Sequence, residues 1–205
     1  MKPLAAALAL LLPALAPAQD AAPQLQEDPR AARFRDVERG VFVAFEAGYL
    51  GLLDTPTADA EKFPLAGESG GSAGGLVVAV LVGVDVGSRL SLSLFAQGGS
   101  AEANPDYGAF SLFAGGADVK LAVFGRRDRN DWERLYVLVH ARGGFARTFP
   151  EGLFGTDEVV FAGGPGVEYH TRLRHFSVGL AADYVYAANA GASGFAVYPT
   201  VRYTF

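Results

Sequence analysis

The feature of this chain that most constrains its fold is a set of eight segments in which apolar and polar residues alternate with a period of two. Successive side chains of a β-strand point to opposite faces, so this period predicts strands with one apolar face. Clusters of Gly, Pro, Asn and Asp separate the segments, and no helical i, i+3, i+4, i+7 pattern persists after residue 40. We therefore expect strands at 40–53, 75–87, 89–99, 109–124, 134–148, 159–171, 174–187 and 194–205.

The second segment shows the alternation most clearly. Its unbroken apolar stretch, 76–84, is about half as long as a membrane-spanning helix but as long as a tilted membrane strand. In the fourth segment, Gly115 and Gly116 predict a bulge that changes the register. The two faces of the second segment are Leu76, Val78, Val80, Val82, Val84 and Val86 against Val77, Ala79, Leu81, Gly83, Asp85 and Gly87.

Charged residues within the segments share the face opposite the apolar one. A membrane barrel turns its apolar face to lipid and its polar face inward, whereas a soluble barrel or sandwich does the reverse. The period alone does not separate these arrangements, so a lipocalin-like barrel or a β-sandwich is an alternative. The charged set comprises Glu46, Asp85, Asp118, Lys120, His140, Arg142, Glu168, His170, Asp183 and Arg202.

The amino-terminal residues are a first signal for the membrane alternative. Met1 and Lys2 precede an apolar run at 4–15, and Ala16-Pro17-Ala18 has the small-x-small pattern of a signal-peptidase site. We expect a secretory signal peptide at 1–18, a periplasmic tail at 19–39 and an outer-membrane barrel at 40–205.

The last segment is a second signal. Val197, Val201, Tyr203 and Phe205 share one face, and the sequence stops at Phe205. This pattern resembles the C-terminal strand signature of bacterial outer-membrane barrels, and the resemblance implies recognition by the barrel-assembly machinery. Pro199 falls on the same apolar face, which is tolerable at a seam or an edge.

The linkers are a third signal, because long and short ones alternate. Long loops alternate with short periplasmic turns in an even-stranded barrel whose two termini are both periplasmic. The long linkers are 54–74, 100–108, 149–158 and 188–193, and the tight ones are 87–89, 125–133 and 171–174. Aromatic belts are expected on the loop side (Tyr49, Tyr107, Phe145, Phe149, Tyr184, Tyr186) and on the turn side (Phe124, Trp132, Tyr169, Phe176, Tyr203, Phe205).

Charge differs between the two sets of linkers. The acidic long linkers could coordinate divalent cations shared with lipopolysaccharide, but solvation of the loops is the favoured interpretation. The long linkers carry Asp54, Asp59, Glu61, Glu68, Glu102, Asp106, Glu151, Asp157 and Glu158 against Lys62. The short turns carry Arg89, Arg126, Arg127, Arg129, Arg134, Arg172 and Arg174 against Asp128, Asp131 and Glu133.

Composition removes several function classes. A sequence pI near 5.2 argues against nucleic-acid binding. The absence of Cys excludes disulfides and thiolate-ligated metals. A mean hydropathy of +0.20 is high for a chain without a membrane helix after residue 20, and apolar residues spread at period two explain it. We therefore expect an eight-stranded antiparallel transmembrane β-barrel in the bacterial outer membrane, with both termini periplasmic.

The inward charges of such a barrel nearly balance. Buried charges persist only when they are paired, so we expect an ion-pair network that closes the lumen. This arrangement resembles the small OmpA- and OmpX-type barrels, which have eight strands and mostly closed polar interiors.

Three same-face pairs could carry chemistry. His175-Phe176-Ser177 is similar to the His-x-Ser pair of an outer-membrane lipid A deacylase, but it lies on the turn side and faces inward. Glu168 with His170 could be an acid/base couple, and His140 with Arg142 has the same spacing, but membership of the lumen network is favoured for both. Gly163-Gly164-Pro165-Gly166 precedes no helix and is not a phosphate loop. We predict no catalytic, cofactor-binding or metal-binding residue and no enzyme activity.

The stretch from Arg39-Gly40-Val41-Phe42 through Gly48-Tyr49-Leu50-Gly51-Leu52-Leu53 resembles the small outer-membrane proteins of adventurous gliding motility in myxobacteria. The expected function is a structural or interaction component of an envelope machine, in motility or adhesion. A narrow channel for small solutes is one alternative, and a lipid-modifying enzyme is another. The expected partners are the lipid bilayer, lipopolysaccharide, the assembly machinery through Phe205, and envelope proteins, with no nucleic acid and no cofactor.

Overall fold

The computed structural model describes residues 39–54, 73–103, 109–128, 132–149, 157–173 and 175–205. The predicted signal peptide at 1–18 and almost all of the predicted tail at 19–39 lie outside these residues. No helix in the described part of the chain is long and apolar enough to cross a membrane. The described elements are β1 (Val41–Asp54), β2 (Ala73–Val86), β3 (Leu90–Ala103), β4 (Ala109–Arg127), β5 (Glu133–Phe149), β6 (Glu158–His170), β7 (Phe176–Ala187) and β8 (Ala192–Thr204).

The eight strands form one closed antiparallel barrel in sequence order. Strand β8 closes the sheet on β1, with Phe42 opposite Thr204 and Phe45 opposite Val201. Closure leaves no strand edge exposed, which removes the usual route to edge-to-edge aggregation. The predicted all-β, eight-stranded antiparallel barrel is confirmed, and each predicted segment overlaps one strand.

Alternation of the side chains determines which residues point inward. On β2, Leu76 is 71% exposed, whereas Leu81 is completely buried. The same alternation runs along β5 and β7, where the outward positions are mostly apolar and exposed and the inward ones are mostly buried. The barrel therefore has an apolar outer wall, which is the arrangement that the sequence favours over a soluble barrel or sandwich.

The predicted bulge at Gly115 and Gly116 is wrong. The β3–β4 register runs without a shift from Leu90 opposite Leu121 to Glu102 opposite Ala109. Gly116 allows close approach of two backbones instead, because a Cβ on it would lie 2.1 Å from the carbonyl oxygen of Gly143. Register shifts occur lower on β4, between Ala122 and Phe124 and between Arg126 and Arg127.

Two prolines lie inside strands, and both point outward. Pro165 is opposite Val139 of β5, but the β6–β7 ladder skips from Gly163 to Gly166. Pro199 is opposite Leu180 of β7, and the β1–β8 ladder skips from Thr200 to Val197. Proline has no N–H to donate, so each one interrupts the ladder on one side only. Pro199 lies at the closing seam of the barrel.

The connections define two ends of the barrel. The turn end contains the connections 87–89, 128–132 and 171–175, the beginning of β1 and the end of β8. The loop end contains the connections 55–72, 104–108, 150–157 and 188–191. The predicted strict alternation of length is wrong, because 104–108 and 188–191 are as short as the turns. Strand β3 extends to Ala103, further than the sequence indicates, and takes up residues 100–103 of the predicted 100–108 linker.

Candidate functional site

The barrel interior is the candidate site, because it contains every charged residue that the alternation predicts to face inward. Most of these side chains are fully buried, and Lys120, Glu168 and His170 keep only 12–15% of their side-chain surface exposed. Five acids, three bases and two histidines therefore share one enclosed space. Their contacts form two groups at different heights.

The first group, the central network, is organised around Arg142 of β5. Its Nη2 lies 2.9 Å from Glu46 Oε2 and 2.8 Å from Asp118 Oδ2, and its Nε donates to the same Asp118 oxygen at 3.3 Å. Lys120 Nζ lies 3.3 Å from Glu46 Oε1. These charge-assisted bonds join β1, β4 and β5 across the interior.

His140 extends the central network to the opposite wall. Its Nε2 lies 2.6 Å from Asp183 Oδ1 on β7, and its Nδ1 lies 3.8 Å from Asp118 Oδ2 on β4. The Tyr198 hydroxyl on β8 donates to the second Asp183 oxygen at 2.8 Å. The network thus crosses the barrel from wall to wall. Its members are Glu46, Asp118, Lys120, His140, Arg142, Asp183 and Tyr198.

The second group, the turn-end network, is organised around Arg202 of β8. Its guanidinium pairs with Asp85 on β2, and its Nη1 lies 3.7 Å from Glu168 Oε1 on β6. Ser91 Oγ donates to Asp85 at 2.6 Å, and Ser177 Oγ donates to Glu168 at 2.5 Å. The expected ion-pair network is therefore present and links strands around the whole barrel.

The loop-end half of the interior differs from the sequence expectation, because it is apolar. The expectation of a polar interior is correct only for the central and turn-end levels. Around Leu50, Leu112 and Val185 the structure leaves a small cavity of about 40 Å³, hereafter the chamber. The sequence contains a signal for it, since Leu50, Leu52 and Leu53 make both faces of β1 apolar near its end. The buried apolar cluster there comprises Leu50, Leu52, Ala73, Val77, Ala101, Phe110, Leu112, Ala146, Ala181, Val185, Ala187, Ala192, Ala196 and Tyr198.

The two residues of the His-x-Ser candidate have different partners in the structure. Ser177 faces inward and hydrogen-bonds Glu168, but His175 precedes β7 in a turn with φ of 72°. Its Nδ1 lies 2.8 Å from the carbonyl oxygen of Thr204, and its ring stacks on Tyr203 at 5.2 Å. Period two therefore does not extend to His175, so the prediction that both side chains share one face is wrong.

The other two pairs belong to the networks. His170 Nε2 lies 3.8 Å from Glu168 Oε1, and its ring packs edge-on against Tyr136 at 5.4 Å. His140 and Arg142 both contact Asp118. These contacts place the residues in the ion-pair groups that the sequence favours.

Two loop-end acids have structural partners. Glu158 is completely buried and accepts from the backbone N–H of Asn189 at 2.6 Å and of Ala190 at 3.0 Å, so counting it as a solvated loop acid is wrong. Asp157 lies 2.9 Å from Arg147 of β5. The sum of charges over the linkers does not include Arg147, because this residue lies in a strand. The remaining acidic-loop prediction concerns residues or side chains outside the described part: Asp54, Asp59, Glu61, Lys62, Glu68, Glu102, Asp106 and Glu151.

Basic residues of the turn end hold the turns together. Arg134 lies 3.0 Å from Asp128 and donates to the carbonyl oxygen of Thr171 at 2.9 Å, with its guanidinium 4.5 Å from the centre of the Trp132 ring. Arg39 donates to the Tyr136 hydroxyl at 3.0 Å. The predicted residues Arg129, Asp131 and Arg174 lie outside the described part.

Aromatic side chains are exposed near both ends of the outer wall. Among the predicted residues, Tyr107 lies outside the described part, and Trp132 and Tyr203 are half-buried. The exposed ones are Tyr49, Phe145, Phe149, Tyr184 and Tyr186 toward the loop end and Phe124, Tyr169, Phe176 and Phe205 toward the turn end. A closed barrel with charge inside, an apolar wall outside and aromatic residues near both rims has the construction of a transmembrane β-barrel.

The fold is a closed eight-stranded antiparallel β-barrel, and it is similar to solved structures of small outer-membrane proteins. Neisserial surface protein A (NspA) matches with a TM-score of 0.56 and 15% identity over 81% of this chain and 99% of that one. Ail, the attachment invasion locus protein of Yersinia pestis, solved in complex with the heparin analogue sucrose octasulfate, has a TM-score of 0.40 and 14% identity over 81% and 100%. No family model and no curated protein matches. The gliding-motility resemblance is therefore not supported.

Proposed function

We propose that this chain is an integral outer-membrane β-barrel that serves as a structural or interaction component of the bacterial envelope. The observation that carries this proposal is the inverted polarity of the barrel. Leu76, Leu94 and Phe145 are each about 70% exposed on the outer wall, whereas Glu46 and Asp118 are buried inside. Water disfavours so large an apolar surface, and a lipid bilayer covers it. The likeness to NspA, a surface protein, supports the same role.

Both chain termini belong on the periplasmic side, with the loop end at the cell surface. The 18-residue connection 55–72 supports this orientation, because long connections of such barrels lie outside. The chain has no Cys, so single substitutions report position directly. Ala188→Cys at the loop end should react with an impermeant maleimide on intact cells, and the matched Ser88→Cys at the turn end should react only after lysis. The reverse pattern would contradict the orientation.

The lumen does not conduct. The central network crosses the barrel through Arg142, Asp118, His140 and Asp183, and this arrangement supports a closed interior. Planar-bilayer recordings of the purified chain should show no steps in current. Stable conductance that changes on Arg142→Ala would replace the interaction role with a narrow channel.

The barrel is not an enzyme on this proposal. The separate contacts of His175 and Ser177 support this part, since a nucleophile needs its base within hydrogen-bond reach. Overexpression should leave the mass spectrum of lipid A unchanged. A new lipid A species that disappears on Ser177→Ala would contradict it.

Envelope proteins, lipopolysaccharide and the assembly machinery are the proposed partners. Phe205 supports the last of these, because it is 68% exposed on the outer wall while its N–H bonds Val41 across the seam. Deletion of Phe205 should lower the amount of heat-modifiable barrel in the outer membrane. Gentle extraction after crosslinking should recover the barrel with envelope proteins, and recovery of the barrel alone would count against an interaction role. A motility defect on deletion of the gene would assign the barrel to a motility machine.

A further inference from the structure

An extra residue near the end of β4 changes which side chains face outward there. The β4–β5 register shifts between Ala122 and Phe124, so Val123 is the extra residue. Val123 and Phe124 are consecutive, yet they are 47% and 59% exposed on the outer wall. Without the extra residue, alternation would point Arg126 into the barrel, whereas it is exposed and lies opposite the outward Leu135. The bulge therefore aims an arginine outward, as bulges commonly re-aim side chains.

Two further arginines lie at the same bulge. Arg89 directly precedes β3, and its Nη1 donates to the carbonyl oxygen of Val123 at 3.5 Å. Arg127 ends β4, and its side chain stays 59% exposed although its Nε lies 3.6 Å from Glu133 Oε1. These residues are hereafter the basic patch, which comprises Arg89, Arg126, Arg127, Val123 and Phe124.

Acids of the turn end do not balance the basic patch. Glu133 offsets one of its three guanidinium groups, and Asp128 is already held by Arg134 at 3.0 Å. Among the described residues, no acid forms an ion pair with Arg89 or Arg126. The two charged residues of the 128–132 connection that lie outside the described part have opposite charges and cancel. An exposed positive charge therefore remains on the outer side of the barrel.

The height of the basic patch indicates what kind of anion meets it. Phe124 belongs to the turn-side aromatic residues, which are typical of a membrane–water interface. Arg126 is two residues beyond Phe124, which is about 7 Å along a strand toward the turn end. A guanidinium matches the geometry of phosphate oxygens, and the arginine stem covers apolar surface while its charge stays in the polar region. The anion that fits is a phosphate at the level of lipid headgroups.

We propose that the basic patch binds the phosphate of an anionic phospholipid in the leaflet at the turn end, with the acyl chains against Val123 and Phe124. This inference rests on the membrane location proposed above and adds the class of lipid. A zwitterionic headgroup carries its own cation beside the phosphate, which weakens its attraction to the patch. At the loop end the exposed Arg147 is paired with Asp157 at 2.9 Å, so no equal preference is expected there.

The test measures lipid contact separately at the two ends of the full-length barrel. The chain has one Trp, so Trp132→Phe gives a background without tryptophan fluorescence. In that background, Leu121→Trp reports on the outer wall beside the basic patch, and Phe145→Trp reports on the outer wall toward the loop end. Each variant is placed in phosphatidylcholine vesicles with a rising fraction of phosphatidylglycerol, one of the two lipids carrying brominated acyl chains that quench tryptophan.

The ratio of quenching by the two brominated lipids gives the preference for the anionic one. Each arginine near an anionic lipid surface contributes about a five-fold preference. We expect phosphatidylglycerol to be preferred about five-fold or more at the Leu121→Trp reporter and about equally with phosphatidylcholine at the Phe145→Trp reporter. The preference at the turn end should nearly vanish in 1 M salt, where charges are screened beyond about 3 Å.

Substitutions of arginines separate the basic patch from the general charge of the barrel. Arg126→Gln and Arg89→Gln should each lower the turn-end preference about five-fold, whereas Arg126→Lys should keep most of it. Arg147→Gln removes one positive charge at the other end and should leave the turn-end preference unchanged. Heat-modifiable migration checks that every variant folds.

The outcomes distinguish this inference from the proposed membrane location. No quenching by either brominated lipid would contradict the membrane location and the lipid site together. Quenching without a preference for phosphatidylglycerol, or with an equal preference at both reporters, would overturn the lipid site alone. The same holds if Arg126→Gln and Arg147→Gln have equal effects. Competition by soluble glycerol 3-phosphate at matched concentration would assign the basic patch to a soluble phosphate and overturn the lipid assignment.

Discussion

The two halves of the barrel interior differ in how they are held. At the central and turn-end levels, charged side chains from opposite walls reach each other, as Arg142 does Glu46 and Arg202 does Asp85. At the loop end most inward residues are apolar, and small ones among them leave a chamber. The outer wall is mostly apolar at both levels, so the lipid does not require this difference. One sheet can therefore combine a half held by ion pairs, in which the loss of any partner is destabilising, with a loop-end half in which added side-chain volume is tolerated.

Loss of a charge from the braced half should have the largest effect. Arg142→Leu leaves Glu46 and Asp118 buried with only Lys120 and His140 beside them, and removing one member of a buried pair costs about 3–5 kcal/mol. Urea unfolding in detergent, followed by heat-modifiable migration, measures it. Arg147→Leu is the control, because Arg147 and Asp157 form an exposed pair whose loss should cost less than about 1 kcal/mol. Equal effects of the two variants would show that the central network does not brace the barrel.

The backbones of Gly144 and Gly115 approach closely in the chamber wall, and adding a side chain there should give the next largest effect. Gly144→Ala places a Cβ 2.2 Å from the carbonyl oxygen of Gly115, which cannot move without disturbing the β4–β5 ladder. We expect a loss of about 3 kcal/mol, typical of severe overpacking. Gly143→Ala, the adjacent residue, meets the Phe161 ring at 3.6 Å, which is ordinary contact. It should be nearly neutral in the same unfolding measurement, and similar losses for both would contradict this account.

Added volume should distinguish the two halves directly. Ala79→Leu inserts a larger side chain opposite Glu46, beside the central network, and should lose about 2 kcal/mol through overpacking. Ala146→Leu makes the same change in the chamber wall and should be neutral or stabilising by up to about 1 kcal/mol, because it fills space. Unfolding midpoints of the two variants make the comparison. A larger loss for Ala146→Leu than for Ala79→Leu would reverse the assignment of packed and unpacked halves.

The sequence predicts the strands and their faces because period two is a local property. Leu76 and Val77 point to opposite sides whatever the rest of the chain does, and so do Arg142 and Ala141. What lies across the barrel from a residue depends on the stagger of all strands, and no local pattern encodes it. For this reason the sequence predicts that His140 faces inward but does not predict that Asp183 meets it.

The chamber and the partners of Glu158 are missed for related reasons. Leu52 and Leu53 are both apolar, so their alternation carries no information about which one is inside. Glu158 is next to a linker in sequence, and only the position of the 188–191 turn shows that its carboxylate bonds two backbone N–H groups. The length of a linker also depends on where strand pairing stops, as the extension of β4 to Arg127 shows.

Tyr198 lies at the boundary of the two halves and should give the smallest effect. Its ring lines the chamber, and its hydroxyl donates to Asp183 at 2.8 Å. Tyr198→Phe keeps the ring but leaves one Asp183 oxygen without its donor, so we expect a loss of about 1.5 kcal/mol, the lower range for a hydrogen bond to a charged group. Tyr184→Phe, on the outer wall, is the matched control and should be nearly neutral. Because the lost bond belongs to the central network, Tyr198→Phe combined with Asp183→Asn should cost less than the two changes added together. Strict additivity would place the Tyr198 hydroxyl outside that network and move the boundary between the halves below it.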